Sequence, residues 1–509
     1  MAFPRRRILR LLKAVTMFVL IATVLLICKY FIMKRGKGNP NSLEPRLVPV
    51  ATKATSPVEE VGTLSKQIKT VSKPEKETSL ESNRFSELFQ TEIDLATNID
   101  HNDGEVANPR IVPAGMSLER IHRLKYNLRG KPNVGKKIPN KVKGNPRNRD
   151  VAYLRRTPCT NVHVFYYTWY CNPKTDGQYC HWNHKTLPHW DKEIDKNFPK
   201  EIHKPPNDIA SDFYPELGAY SSNDPEVIRA HFRQIANAGI GVVVVSYYPP
   251  GTADDNGKPW DNIYPLLLDK ASEFEIKVAF HIEPYKKRNE NTVRNDITYI
   301  VDTYGFHKGF YRYRINQYIS VPMFYIYDSY LTKAEDWANV LKPDGHNTIR
   351  GTKYDSMVIG LLVDLQHSNY VSIGGFDGIY TYFAASGFTY GSNTKNWRDI
   401  SERSVEMNFL YIPSIGPGYI DTNIRPWNEE NKRDRSKGDY YKNSWTSALA
   451  VSPKIISITS FNEWHEGTQI ENAVPKSTSR RVYLDYKPNQ PNFYMKLTRE
   501  FVDKFKSCN

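Results

Sequence analysis

The strongest constraint on this chain is a rhythm. Beyond Thr157, short apolar runs rich in β-branched and aromatic residues recur eight times: VHVFYYT (162–168), IGVVVVSYY (240–248), KVAFHIE (277–283), VPMFYIYD (321–328), MVIGLLVD (357–364), GIYTYF (378–383), FLYIPSIG (409–416) and IISITSF (455–461). Most are continuous rather than alternating, as strands buried on both faces should be. Helix signals fall between them. NDPEVIRAHFRQIANAG offers Asp224 as an N-cap, Pro225 at the first helical position and Gly239 as a stop. NIYPLLLDKASEFE, NTVRNDITYIVDTYG and LTKAEDWANVL carry helical spacing. Eight strands alternating with helices over roughly 350 residues predict an α/β fold, a (β/α)8 barrel of the TIM type. An open doubly wound sheet would want a Gly-rich phosphate turn after an early strand, and the sequence has none.

Ahead of this region the character is different. Residues 11–33 are expected to form a transmembrane signal-anchor. The stretch from Ala14 to Met33 is broken only by Lys29, which is about the length that crosses a bilayer. No small-residue cleavage site follows, so the segment reads as retained. Arg5, Arg6, Arg7 and Arg10 precede it, against Lys34, Arg35 and Lys37 after it, a weak vote for a cytoplasmic tail over residues 1–10. Residues 34–150 are polar, with little apolar periodicity, and read as a stem. Residues 151–509 are the expected folded domain.

The net charge of +15 is concentrated in that stem, where residues 110–156 hold fourteen Lys or Arg against Glu119 and Asp150. With no nucleic-acid module following, the run reads as a solvated tether, and nucleic acid is not an expected partner. Cys28 lies in the anchor. Cys159, Cys171, Cys180 and Cys508 form an even set with three possible pairings, of which Cys171–Cys180 closes the shortest loop.

In a (β/α)8 barrel the catalytic groups sit at the C-terminal ends of the strands, and here those ends are polar. They offer Tyr166, Tyr167 and Trp169; Ser246, Tyr247 and Tyr248; His281 and Glu283; Tyr327 and Asp328; Tyr380 and Tyr382; Tyr419, Asp421, Arg425 and Trp427; and Asn462, Glu463, Trp464, His465 and Glu466. Any one of these alone is an ordinary strand-end residue meeting water. Together, carboxylates, hydroxyls and aromatic faces on one rim suit glycosidic bond hydrolysis. One acid protonates the leaving oxygen, a second carboxylate supports a cation-like transition state, and rings hold the sugar. EWHEG lacks the second His of a zinc helix motif, and G-x-S-x-G is absent. No metal is expected.

FYYTWY, DFYPELGAYSS, FHIEPY, MFYIYDSY, FDGIYTYFA, PSIGPGYIDTNIRPWN and ITSFNEWHEGTQIE together resemble the glycoprotein endo-α-1,2-mannosidases of glycoside hydrolase family 99, from about Asn161 to about Thr498. The resemblance implies a cofactor-free, retaining enzyme that cuts a mannose–α-1,2–mannose bond in glucosylated high-mannose N-glycans and releases a glucosyl-mannose disaccharide. It also implies a type II Golgi membrane protein with a lumenal domain. Glu463 matches a base that takes the proton of the sugar's own 2-hydroxyl, giving a 1,2-anhydro sugar. Glu466 matches the general acid/base, and Glu283 a substrate-binding carboxylate. Either Tyr380 or Tyr382 matches a Tyr near the reacting centre. Tyr166, Tyr248, His281, Tyr327, Tyr419, Asp421, Arg425, Asn462, Trp464 and His465 are further expected substrate ligands. At Tyr248 the chain departs from bacterial members, which tend to carry Trp, and this hydroxyl favours glucose at the outermost site.

The two roles require Glu463 ionised and Glu466 protonated, and their mutual repulsion helps to hold the second proton on. Two alternatives come from other classes. A silent lectin would lack the acid/base pair, whereas both Glu are present. A Golgi glycosyltransferase would show a D-x-D site, and there is none.

Overall fold

Each of the eight apolar runs becomes a strand. The computed structural model describes residues 157–254 and 262–508, so the expected tail, anchor and stem lie outside the described residues. Among the described residues, no helix is long and apolar enough to cross a membrane. The strands are β1 (Cys159–Tyr166), β2 (Ile240–Tyr247), β3 (Lys277–Ile282), β4 (Arg312–Arg314), β5 (Ser320–Ile326), β6 (Met357–Leu361), β7 (Gly378–Tyr380), β8 (Leu410–Ile412), β9 (Ser414–Ile415) and β10 (Ile456–Ile458). Neighbours pair in parallel in the order β8-β7-β6-β5-β3-β2-β1-β10-β9, while β4 pairs antiparallel with β5 outside that path. β8 and β9 are two halves of the seventh predicted run. Pro413 separates them because it has no N–H to give the ladder, although its carbonyl still accepts Ser457 N at 3.1 Å. With that join, eight runs close a parallel barrel.

The eight longer helices follow the strands as the barrel requires: α1 (Pro225–Asn237), α2 (Ile263–Glu273), α3 (Glu290–Tyr304), α4 (Ala334–Leu341), α5 (His367–Gly374), α6 (Trp397–Glu406), α7 (Asp439–Ala450) and α8 (Phe493–Val502). α1 starts as its sequence predicts, with the Asp224 side chain accepting Glu226 N at 2.9 Å. It stops at Gly239, whose φ is +78°. A Cβ there would meet Arg499 Nη1 at 2.7 Å, the movable end of a side chain, so it is the backbone that favours glycine. Two disulfides use the four downstream cysteines. Cys159–Cys508 ties the first strand to the C-terminal end at a Cα separation of 5.4 Å, and Cys171–Cys180 closes the short loop at 4.6 Å.

Strand side chains alternate between the barrel interior and the helix layer. β2 is buried at all eight positions, as a strand covered on both faces must be. On β1, His163 and Phe165 point inward. His163 Nδ1 meets Tyr325 OH at 2.7 Å, and Phe165 packs on His281, Tyr325 and Tyr382 with ring centroids 4.8, 5.7 and 5.1 Å away. Burial drives the His163 pKa down to about 3, so it is a neutral filler. The lower barrel is therefore plugged with rings, and the site begins one layer above. Two long connections, residues 167–224 after β1 and 459–492 after β10, wall that upper end.

Candidate active site

The stretch SITSFNEWHEGTQIE follows β10 and folds back on itself. Ser460 N donates to Thr468 O (3.0 Å), and Ile470 N donates to Ser460 O (2.9 Å). The Asn462 side chain stitches this loop to the first strand: its Oδ1 accepts Tyr167 N and its Nδ2 donates to Tyr167 O, both at 2.8 Å. Tyr170 OH donates to Asn462 O at 3.0 Å and accepts Trp464 N at 3.1 Å. Glu471, fully buried, accepts His231 Nε2 (3.1 Å), Tyr220 OH (2.9 Å) and Trp464 Nε1 (3.0 Å). Of the acids in the stretch, Glu471 is thus a structural hub, its carboxylate taken up by three donors.

Glu463 is 4% exposed. Its N–H donates to Ser460 Oγ (2.7 Å), and its Oε1 accepts His465 N (3.0 Å). Glu466 is more open, with a side chain 20% exposed, and its Oε1 lies 3.6 Å from Arg425 Nη1. Burial first, then the Glu466 charge, pushes the Glu463 pKa well above the usual carboxylate range. The His465 N–H and the Arg425 charge oppose this and are outweighed. A raised pKa does not disqualify a base, because proton affinity makes a carboxylate a stronger base once it is charged.

Glu283 stands at the end of β3, where it accepts Ser246 Oγ at 2.8 Å and lies 3.4 Å from His281 Nδ1. Tyr380 and Tyr382 stand at different depths. Tyr380 lies a layer down, fully buried, with its OH on His281 Nε2 at 2.8 Å. Tyr382 lies against the carboxylates: the charges of Glu466, Glu463 and Glu283 add to burial in raising its pKa. Its φ is +46°, a left-handed position for a bulky residue. That strain is held by its N–H on Ser414 Oγ (2.7 Å), by its carbonyl accepting Thr459 Oγ1 and by its hydroxyl on that of Tyr167. Tyr327 packs edge-on to Tyr382 with ring centroids 4.8 Å apart.

The loop after β9 supplies Tyr419, Asp421 and Arg425. Asp421 Oδ2 gathers Tyr419 OH (2.8 Å), Arg425 Nη1 (3.2 Å) and Asn428 Nδ2 (2.9 Å), so it organises the loop and aims Arg425 at Glu466. His465 Nδ1 donates to Ala210 O at 2.7 Å. Since a carbonyl only accepts, the proton sits on Nδ1. Burial holds this imidazole neutral, with a pKa well below its ordinary value. Tyr248 stands half-buried at the rim.

Three expected ligands are not brought to the cleft. Tyr166 points outward, its hydroxyl on His231 Nδ1 at 2.9 Å and its ring on Phe461. Asn462 and Trp464 are fully buried in the stitching just described. Tyr167 takes the place expected of Tyr166. Period-two alternation from the inward-facing His163 and Phe165 points to it. Among the described residues, no group of three or more His, Cys, Asp or Glu is arranged to hold a metal ion.

The comparisons agree with this geometry. A model of glycosyl hydrolase family 99 matches residues 159–507. The chain is 54% identical to a human glycoprotein endo-α-1,2-mannosidase-like protein, over 68% of this chain and 76% of that one. It is also 54% identical to the mouse glycoprotein endo-α-1,2-mannosidase, over 71% and 78%. The solved family 99 endo-α-mannosidase of Bacteroides thetaiotaomicron superposes with a TM-score of 0.63 at 44% identity, covering 68% of this chain and 98% of that one.

Glu471→Ala leaves three buried donors without an acceptor. The expected cost is about 3–5 kcal/mol by denaturant midpoint, whereas Glu193→Ala, at an exposed surface pair, should change stability by less than about 0.5 kcal/mol. Equal effects would remove Glu471 from its role as hub.

Proposed function

The chain belongs to glycosyl hydrolase family 99, and from that premise we propose that this glycoside hydrolase is a retaining endo-α-1,2-mannosidase acting on glucosylated high-mannose N-glycans. The observation that carries the reading is the placement of Glu463, Glu466, Glu283 and Tyr382 on one rim of a parallel barrel. Relatives at 51–54% identity are named for this activity.

In the first step Glu463 takes the proton of the mannose 2-hydroxyl as that oxygen closes on the anomeric carbon. The anomeric bond to the leaving mannose breaks, and Glu466 gives its proton to the departing oxygen. In the second step Glu466, now a carboxylate, takes a proton from water as the water attacks the anomeric carbon. The three-membered ring opens and Glu463 returns its proton to the 2-oxygen. Two inversions give retention. The environment suits the division of labour. Glu463 is buried enough to be a strong base, and Arg425 stands where it can steady the charge that Glu466 acquires on giving up its proton.

The apolar N-terminal segment supports a type II Golgi membrane protein with this domain in the lumen. Two disulfides in the domain suit an oxidising compartment. Tyr248 at the rim supports a preference for glucose at the outermost site.

The detergent-solubilised full chain, incubated with a monoglucosylated high-mannose N-glycan, should release a hexose disaccharide readable by mass, equally with and without a chelator. Release should be slower from the unglucosylated glycan, and equal rates would count against the role of Tyr248. Glu466→Gln should cut turnover by about 10²- to 10⁴-fold in a folded protein, and near-normal activity would sink its assignment. The pH profile tests Glu463. Arg425's charge favours the ionised form, so Arg425→Gln raises the Glu463 pKa further. The acidic limb of kcat/KM should then move to higher pH, and a limb that stays or moves down would contradict Glu463 as the base.

A further inference from the structure

The loop carrying Glu466 is held from behind as well as from the cleft. On the cleft side, Ile420 N donates to Glu466 O at 2.8 Å. The next residue, Gly467, has φ +56°, and a Cβ there would meet Ile420 Cγ2 at 2.5 Å, so the backbone is pressed against Ile420. On the far side, Arg435 Nη2 donates to Gly467 O (2.9 Å) and Gln469 O (2.7 Å). Its guanidinium stands over three rings, with Cζ 4.4 Å from the Phe213 centroid, 4.6 Å from Tyr494 and 5.1 Å from Tyr486. Among the described residues Nε and Nη1 have no hydrogen-bond partner, and the ring faces supply a favourable surround for the cation. Tyr486 extends the clamp by donating to Glu471 O at 2.9 Å. Gly467 and Arg435 both line a cavity of about 480 Å³, so no packed wall would take over if the arginine were lost.

We propose that Arg435 is a positioning residue for the general acid/base: it grips the carbonyl next to Glu466 and fixes where that carboxyl sits. The proposal rests on the assignment of Glu466 made above. A planar, caged guanidinium can hold two carbonyls and stack at once. A lysine ammonium keeps the charge but cannot lie flat among three rings. The consequence is selective. A loosened Glu466 slows the step that needs its proton, while the sugar ligands Glu283 and Tyr382, held by other strands, keep binding.

Arg435→Lys and Arg435→Met are measured on the glycan and on the matching disaccharidyl fluoride, whose leaving group needs no proton. Arg350→Lys serves as a control, because Arg350 also clamps buried carbonyls, of Leu341, Ser356 and Gly375, away from this loop. On the glycan, the Arg435 variants should lose about 10- to 100-fold in kcat with KM within twofold. On the fluoride they should lose less than about threefold in kcat/KM, and adding Arg435→Lys to Glu466→Gln should cost nothing further. Arg350→Lys should lower Tm without this kcat pattern. If the Arg435 variants do not fold, Phe213→Leu removes one face of the cage and should show the same pattern at smaller size. Full kcat in folded Arg435→Lys, equal losses on both substrates, additivity with Glu466→Gln, or an unchanged Phe213→Leu would each overturn the proposal. Glu466→Gln at wild-type rate would instead overturn the assignment of the acid, and the clamp with it.

Discussion

Two hydrogen bonds between the Asn462 amide and the backbone of Tyr167 hold the site together. They extend the β1–β10 pairing that closes the barrel past the point where both strands end. The loop bearing Glu463 and Glu466 therefore hangs from the first strand as well as from the last. An amide side chain is suited to this, since it presents one acceptor and one donor group in a plane and copies a peptide unit. Everything the loop does next depends on that registration. Ser460 Oγ receives the Glu463 N–H, Glu471 collects three donors beneath, and Ile420 and Arg435 grip the successive carbonyls of Glu466 and Gly467.

The barrel was largely legible because its signals are local. Continuous β-branched runs mark strands buried on both faces, and Asp224, Pro225 and Gly239 mark a helix. The split of the seventh run at Pro413 was also open to reading, since a residue without an N–H interrupts a ladder. β4 was not: RYR is polar, short and on the outside, and it forms only because β5 offers it an edge. The pairing of Cys159 with Cys508 spans 349 residues, and spacing alone leaves it one of several options.

At the site, residue types were legible and orientations were not. YY and YTY each put two similar rings side by side, and the pleat sends neighbours to opposite faces while moving the next alternate residue up one layer. Composition cannot tell Tyr166 from Tyr167, or Tyr380 from Tyr382. Asn462 and Trp464 looked like ligands because they flank the acids. The polar groups of both are instead consumed in holding the loop. Arg435 gave no signal at all, because its partners are carbonyls and ring faces brought together from four distant segments.

The asymmetry between the two acids follows from the same scaffold. Glu463 lies on the inner side of the turn, where burial and the neighbouring charge outweigh one backbone N–H and a cation. Glu466, three residues on, is on the outer side, a fifth of its side chain open and an arginine within 3.6 Å. One turn of chain has placed like groups in unlike media, which is how a pair of carboxylates comes to differ in proton affinity.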